Sequence, residues 1–199
     1  MEVNNRVLLV GTVDGEFKYA YENYGEKFYT AFVNTMRTSE VYDRLPIIVS
    51  EKLIDSTVSY DGKNIKILGD YRSFNSNKKL CLNVFAHTME IVDDDHLHVN
   101  EVFIEGYVCK IPFYRQTPKG RFITELLVAI NRRYGKSDYL PCIAWGRNAG
   151  FASRFEVGTL IRAEGRIQSR EYTKVIDGAE ETRVAYEISI KWVDACYEG

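Results

Sequence analysis

The amino-acid sequence predicts an all-β fold of two tandem five-stranded barrels, each with one short helix, over residues 1–95 and 99–199. Two observations carry that expectation. The chain repeats itself, and each repeat has the same rhythm of short alternating strands. Shifted by 95 residues, Asn5-Arg6-Val7 falls on Asn100-Glu101-Val102, Gly11 on Gly106 and Val13 on Val108. The same offset sets Val33 on Val128, Arg37 on Arg132, Asp43 on Asp138, Leu45-Pro46 on Leu140-Pro141, and Ile48 on Ile143. One further residue of offset aligns Gly69 with Gly165 and Ser73 with Ser169. Matches so widely spread at nearly constant register indicate two copies of one domain, joined near "DDDHLHVN".

In the second copy, period-2 alternation and β-branched enrichment predict strands over 101–110, 122–132, 139–146, 159–173 and 182–193. Lys-Gly, Tyr-Gly and Asp-Gly turns separate them. "RNAGFASRFEVG" breaks the alternation. Asn148 can cap a helix there, Ala149, Ala152 and Phe155 mark one face, and Gly158 ends it. In the first copy "SEKLIDSTV" is the shorter helical segment and "YDGKN" the turn into the fourth strand. Five strands with a helix between the third and fourth is the order of an oligonucleotide/oligosaccharide-binding (OB) barrel.

Composition narrows the function classes. No stretch of 18 apolar residues exists, so no membrane span is expected, and the N-terminus does not read as a signal peptide. Four cysteines, Cys81, Cys109, Cys142 and Cys196, lie far apart with no C-x-x-C pair, which fits reduced, mostly buried thiols in a cytosolic protein. The net charge of −2 hides a split. Residues 1–99 carry 11 basic and 15 acidic side chains, whereas 101–174 carry 13 basic and 7 acidic.

The basic excess is interleaved with aromatic rings. On the strand from Tyr139 to Trp145, alternation puts Tyr139, Pro141, Ile143 and Trp145 on an outer face, with Leu140, Cys142 and Ala144 inside. Tyr134 stands beside the preceding turn, and Tyr172 extends the set from the fourth strand. Arg132, Arg133 and Lys136 flank Tyr134, Arg147 follows Trp145, and Arg170 and Lys174 flank Tyr172. Arg115, Lys119 and Arg121 lie in the loop between the first two strands. Rings alternating with cations suit single-stranded nucleic acid, because any base can stack on a ring while its phosphate pairs with a cation. The alternatives are a subunit interface, in which Tyr and Trp are also enriched, an OB-fold adaptor of the kind used in primosome assembly, and single-stranded RNA.

The second copy, "NEVFIEGYVCKIP" through "GRIQSREYTK", resembles the bacterial single-stranded DNA-binding protein family. The shared features are Asn100 to Gly106 (N-x-V-x-x-x-G), Pro118-Lys119-Gly120, Val128 to Arg133 (VAxNRR), Trp145-Gly146, and Gly165 to Tyr172 (GRxxxRxY). The resemblance implies a cytoplasmic, sequence-tolerant binder of single-stranded DNA in replication, recombination or repair. It also implies that bases stack at positions matching Tyr134, Tyr139, Trp145 and Tyr172. Family members with two barrels reach four per particle as dimers, so a homodimer is expected. The chain stops at "VDACYEG" without the family's disordered linker and acidic tip, so partner recruitment by that route is not expected.

Carried back through the repeat, the four stacking positions become Ser39, Arg44, Ser50 and Ser76. The first copy is therefore expected to have lost most of that surface. Phe17, Tyr19 and Tyr21 alternate around Lys18 and leave room for a different, loop-borne ladder. "DDDHLH", Asp93 to His98, reads as a solvated linker and not a metal site, and His87 as an ordinary strand residue. No G-x-x-x-x-G-K-[ST], G-x-S-x-G or H-E-x-x-H occurs, Glu156, Glu180 and Glu181 lack an acid/base partner, and neither catalysis nor a cofactor is expected.

Overall fold

The structure, a computed structural model, describes residues 4–76, 79–94, 97–176 and 179–196. Each copy of the repeat closes its own barrel. In the first, β1 (Asn5–Asn23), β2 (Glu26–Met36), β3 (Tyr42–Ser50), β4 (Asn64–Ser76) and β5 (Lys79–Ile91) follow the cyclic order 1-2-3-5-4. In the second, β6 (Val99–Val108), β8 (Phe122–Asn131), β9 (Ser137–Trp145), β10 (Leu160–Ile176) and β11 (Ala179–Ala195) repeat that order. β3 and β5 pair parallel, as do β9 and β11, and the other pairings are antiparallel. This is the OB order expected from the sequence. One strand was not anticipated: β7 (Phe113–Gln116), which makes a hairpin with β8 from residues read as a loop.

The barrels are filled by the inward half of each alternation. Leu140, Cys142 and Ala144 are buried on β9 as expected, alongside Ile104, Val128, Ile161 and Ile188. The first barrel is filled by Leu9, Val33, Leu45, Ile47, Ile67 and Val84. Ile143 departs from the outer-face expectation, because it is buried beside Ser189 of β11. Closing so small a barrel requires sharp strand bends. β4 and β10 bend at bulges next to Gly69 and Gly165. A Cβ there would stand 2.1 Å from the Phe85 carbonyl oxygen and 2.2 Å from that of Ser189.

The expected helix of the second copy is α1 (Arg147–Ala152), and Ala149, Ala152 and Phe155 plug the barrel beneath it. Gly146, not Asn148, is its N-cap, since Gly can adopt the φ of 56° that the chain needs on leaving β9. The Asn148 amide donates instead to the Lys191 carbonyl. In the first copy the helical segment shrinks to a single 3₁₀ turn, Glu51–Leu53, capped by the Ser50 hydroxyl. Leu53, Ile54 and Val58 pack on the core there in place of a helix face.

The two barrels join edge to edge. β1 pairs antiparallel with β6, so that Val7 faces Val102, its own counterpart in the repeat, and the seam has local twofold character. Two clamps lock it reciprocally. Asp43, fully buried, holds Arg37 at 2.5 and 2.7 Å and accepts the Ser169 amide of the other copy at 2.7 Å. Asp138, equally buried, pairs with Arg132 at 3.0 Å and accepts the Ser73 amide at 2.6 Å. The Ser73 hydroxyl then accepts the Tyr139 amide, and that of Ser169 accepts the Arg44 amide. The repeat matches Arg37/Arg132, Asp43/Asp138 and Ser73/Ser169 are therefore the residues of the seam.

Candidate nucleic-acid interface

The turn from β8 into β9 is closed by the Arg132 amide donating to the Lys136 carbonyl at 2.7 Å. Within it, Tyr134 takes φ 63° and ψ 33°, a left-handed conformation uncommon for a ring-bearing residue. The consequence is a side chain 96% exposed, with exposed Arg133 and Lys136 beside it. Tyr139 follows on the outer face of β9, opposite Ala129. Trp145 closes the same strand six residues later, roughly 20 Å away at the rise of an extended chain. Tyr172 lies on the β10–β11 arm opposite Arg183, with the Arg170 guanidinium 5.9 Å from its ring centre.

Two clefts at the seam divide these rings. In one, of about 840 Å³, Tyr134, Arg133 and Lys136 of the second copy face Asp70, Arg72 and His87 of the first. Burial pushes the Asp70 carboxyl up, but His87 at 3.0 Å and Arg72 at 2.9 Å together hold it below the usual carboxylate range. In the other, of about 630 Å³, Trp145 lies with Arg166 and Lys191 across from Arg37 and Ser39. Burial, and then repulsion from Arg37, lowers the Arg166 pKa; Arg37 itself is matched by Asp43, from which Arg166 stands 4.0 Å away. The clefts are counterparts under the local twofold.

The cations separate into two sets. Arg132 belongs to the seam clamp, and Arg115 is held by Glu125 at 2.5 Å, so both expected phosphate contacts are engaged inside the protein. Arg170 lies 3.6 Å from Glu187, and Lys174 pairs in register with Glu181. Lys119 and Arg121 stand exposed at the tip of the β7–β8 hairpin, Lys136 beside Tyr134 and Arg147 beside Trp145. Sequence reasoning missed Arg37 and Arg72, which line the clefts from across the seam, and Arg166 and Lys191, which line the Trp145 cleft from its own barrel. It also missed Phe113, Tyr114 and Phe122 on the β7–β8 hairpin, where Tyr114 and Phe122 stack at 5.4 Å. The aromatic and β-branched residues of "FYRQ" and "FITE" were the available signal for that hairpin. Among the described residues no group of His, Cys, Asp and Glu could hold a metal ion. Asp95 and His96 of the acidic joint lie outside the described residues. Among the described residues, too, no helix is long and apolar enough to cross a membrane.

Comparison with known proteins follows the same division. A model of the single-strand binding protein family matches residues 99–195. Single-stranded DNA-binding protein A of Bacillus subtilis is 31% identical over 81 residues, 37% of this chain and 47% of that protein. Single-stranded DNA-binding protein 1 of Staphylococcus aureus is likewise 31% identical over 81 residues, 37% of this chain and 48% of that one. The chain thus spans about half the length of the curated relatives it matches. The wild-type single-stranded DNA binding protein from Thermus aquaticus superposes with a TM-score of 0.77 at 20% identity. That likeness of fold covers 98% of this chain and 94% of the other, and so includes both barrels. By that match, residues 99–195, the second copy, belong to the single-strand binding protein family.

Proposed function

We propose that the protein binds single-stranded DNA without sequence preference, as a non-catalytic component of replication, recombination or repair in the cytoplasm. The observation that carries this reading is the set of outward rings on the second barrel, each with a cation beside it: Tyr134 with Arg133 and Lys136, Trp145 with Arg147 and Arg166, Tyr172 with Arg170. Bases stack on the rings and phosphates reach the cations, an arrangement indifferent to base identity because every base has a π-face. Tyr139, on the strand between Tyr134 and Trp145, bridges the two ends. The names of the curated relatives support the same ligand.

The test is titration with unlabelled oligo(dT), following the fluorescence of Trp145 and Trp192 at low and moderate salt. Quenching that weakens as salt rises is expected, with log K falling by about 0.7 per unit log salt for each phosphate neutralised. Replacing Trp145 or Tyr172 by Ala should cost about 1–3 kcal/mol of binding each. Absence of quenching and of retained DNA would overturn the reading and make the ring surface a protein interface. Tighter retention of oligo(rU) than of oligo(dT) would reassign the ligand to RNA.

A further inference from the structure

We propose that the first copy carries a stacking path of its own, at positions other than Ser39, Arg44, Ser50 and Ser76, onto which single-stranded nucleic acid continues from the Tyr134 turn. The proposal rests on the nucleic-acid reading above. Ser50 occupies the place of Trp145, yet the ring has not vanished from that spot. It has moved across the ladder. Phe28 pairs with Ser50 as Ile123 pairs with Trp145, so an aromatic–small pair replaces an aliphatic–aromatic one. Phe85 stands beside Ile48 where the second copy has Ser189 beside Ile143.

These rings connect. Tyr21 stacks on Phe28 at 4.9 Å and 18°, Phe28 meets Phe85 at 5.7 Å, and Phe85 meets His87 at 5.9 Å. The Arg72 guanidinium sits 4.0 Å over the Phe85 ring. Arg72 and His87 in turn line the cleft that holds Tyr134, Arg133 and Lys136. Phe28 is buried and serves as the floor, and Tyr21 and Tyr24 are the exposed platforms. A bulge between Tyr19 and Tyr21 turns Tyr19 to the other face, beside Tyr29. Tyr24 is fully exposed at the β1–β2 tip with φ 49°, a place where a two-residue hairpin turn favours Asn or Gly. Tyr134 shows the same costly pairing of a ring with a left-handed backbone.

Charge distinguishes this path from that of the second barrel. Asp14 is paired with Arg44 at 2.5 Å, Glu26 with Lys52 at 2.6 Å, and Glu22 faces Lys27 across the hairpin. The face is close to neutral, so it stacks bases while adding few phosphate contacts. Its contribution to affinity is then nearly independent of salt.

The experiment compares the full chain with its Tyr21→Ser/Tyr24→Ser variant and with Tyr24→Ser alone, which changes only the exposed hairpin tip. Each is titrated with a short oligo(dT) able to cover one barrel and one about twice that length, one barrel occupying about 4–16 nucleotides. In the double variant, affinity for the long oligonucleotide should fall at least about fivefold, the low end for one lost stack. Fewer nucleotides should be occluded per chain, with the salt slope and the short-oligonucleotide affinity unchanged, and Tyr24→Ser should show a smaller loss of the same kind. Wild-type affinity and site size for the long oligonucleotide in both folded variants would overturn the proposal. So would equal losses on both lengths, because the second barrel would then depend on these rings. If neither oligonucleotide quenches Trp145 in the unaltered chain, the underlying reading fails instead, and that result is read before any variant is made.

Discussion

At Tyr134 the backbone pays for the position of a side chain. A left-handed residue other than Gly, Asn or Asp costs of order 1 kcal/mol or more, and the exposed ring recovers none of that through packing. Tyr134→Asn should therefore raise stability by up to about 1 kcal/mol, seen as a higher urea midpoint at unchanged slope, while weakening oligo(dT) binding. A variant that loses stability would mean that the ring is held by contacts inside the protein. Exposure of Tyr134, Tyr139 and Tyr172 was legible in the sequence because alternation and turn chemistry are local. The engagement of Arg132 was not. Its carboxylate partner lies six residues on, but what fixes the pair is the Ser73 amide from the other copy.

The strands were legible for the reason the rings were. A half-buried strand writes its inside and outside into successive residues, and β9, expected over 139–146, runs from Ser137 to Trp145. β7 escaped because Ile111-Pro112 and the polar tip around Pro118 bracket a run of only four residues. The helix of the second copy was expected from an Asn148 cap to Gly158, but it starts at Gly146, which needs only its own backbone freedom, and ends at Ala152. Bulges are invisible to alternation, although the glycines that permit them were among the repeat matches. Gly69→Ala and Gly165→Ala should each destabilise at or above the upper end of the about 1–3 kcal/mol typical of overpacking. The Cβ in each would meet a carbonyl oxygen that cannot move without opening the barrel. Denaturation curves that leave the urea midpoint in place would show that the bulge can shift its register instead.

Across the whole molecule, the repeat foretold two like domains but not how they meet. Edge pairing of β1 with β6 needs no distinctive residues of its own, whereas the clamps around Asp43 and Asp138 use side chains the repeat had already matched. If two chains assemble to bring four barrels together, sedimentation should return a particle twice the chain mass of 23.0 kDa. A strict monomer at micromolar concentration would confine the interface to the two barrels described. The seam has one further consequence. In a particle assembled from identical subunits, every substitution at a twofold contact appears on both sides at once. Here the two sides are encoded separately, so inheritance can alter one half while sparing the other. The exchange of Tyr139 for Arg44, whose guanidinium lies 3.5 Å over the Phe32 ring, is a change of that one-sided kind.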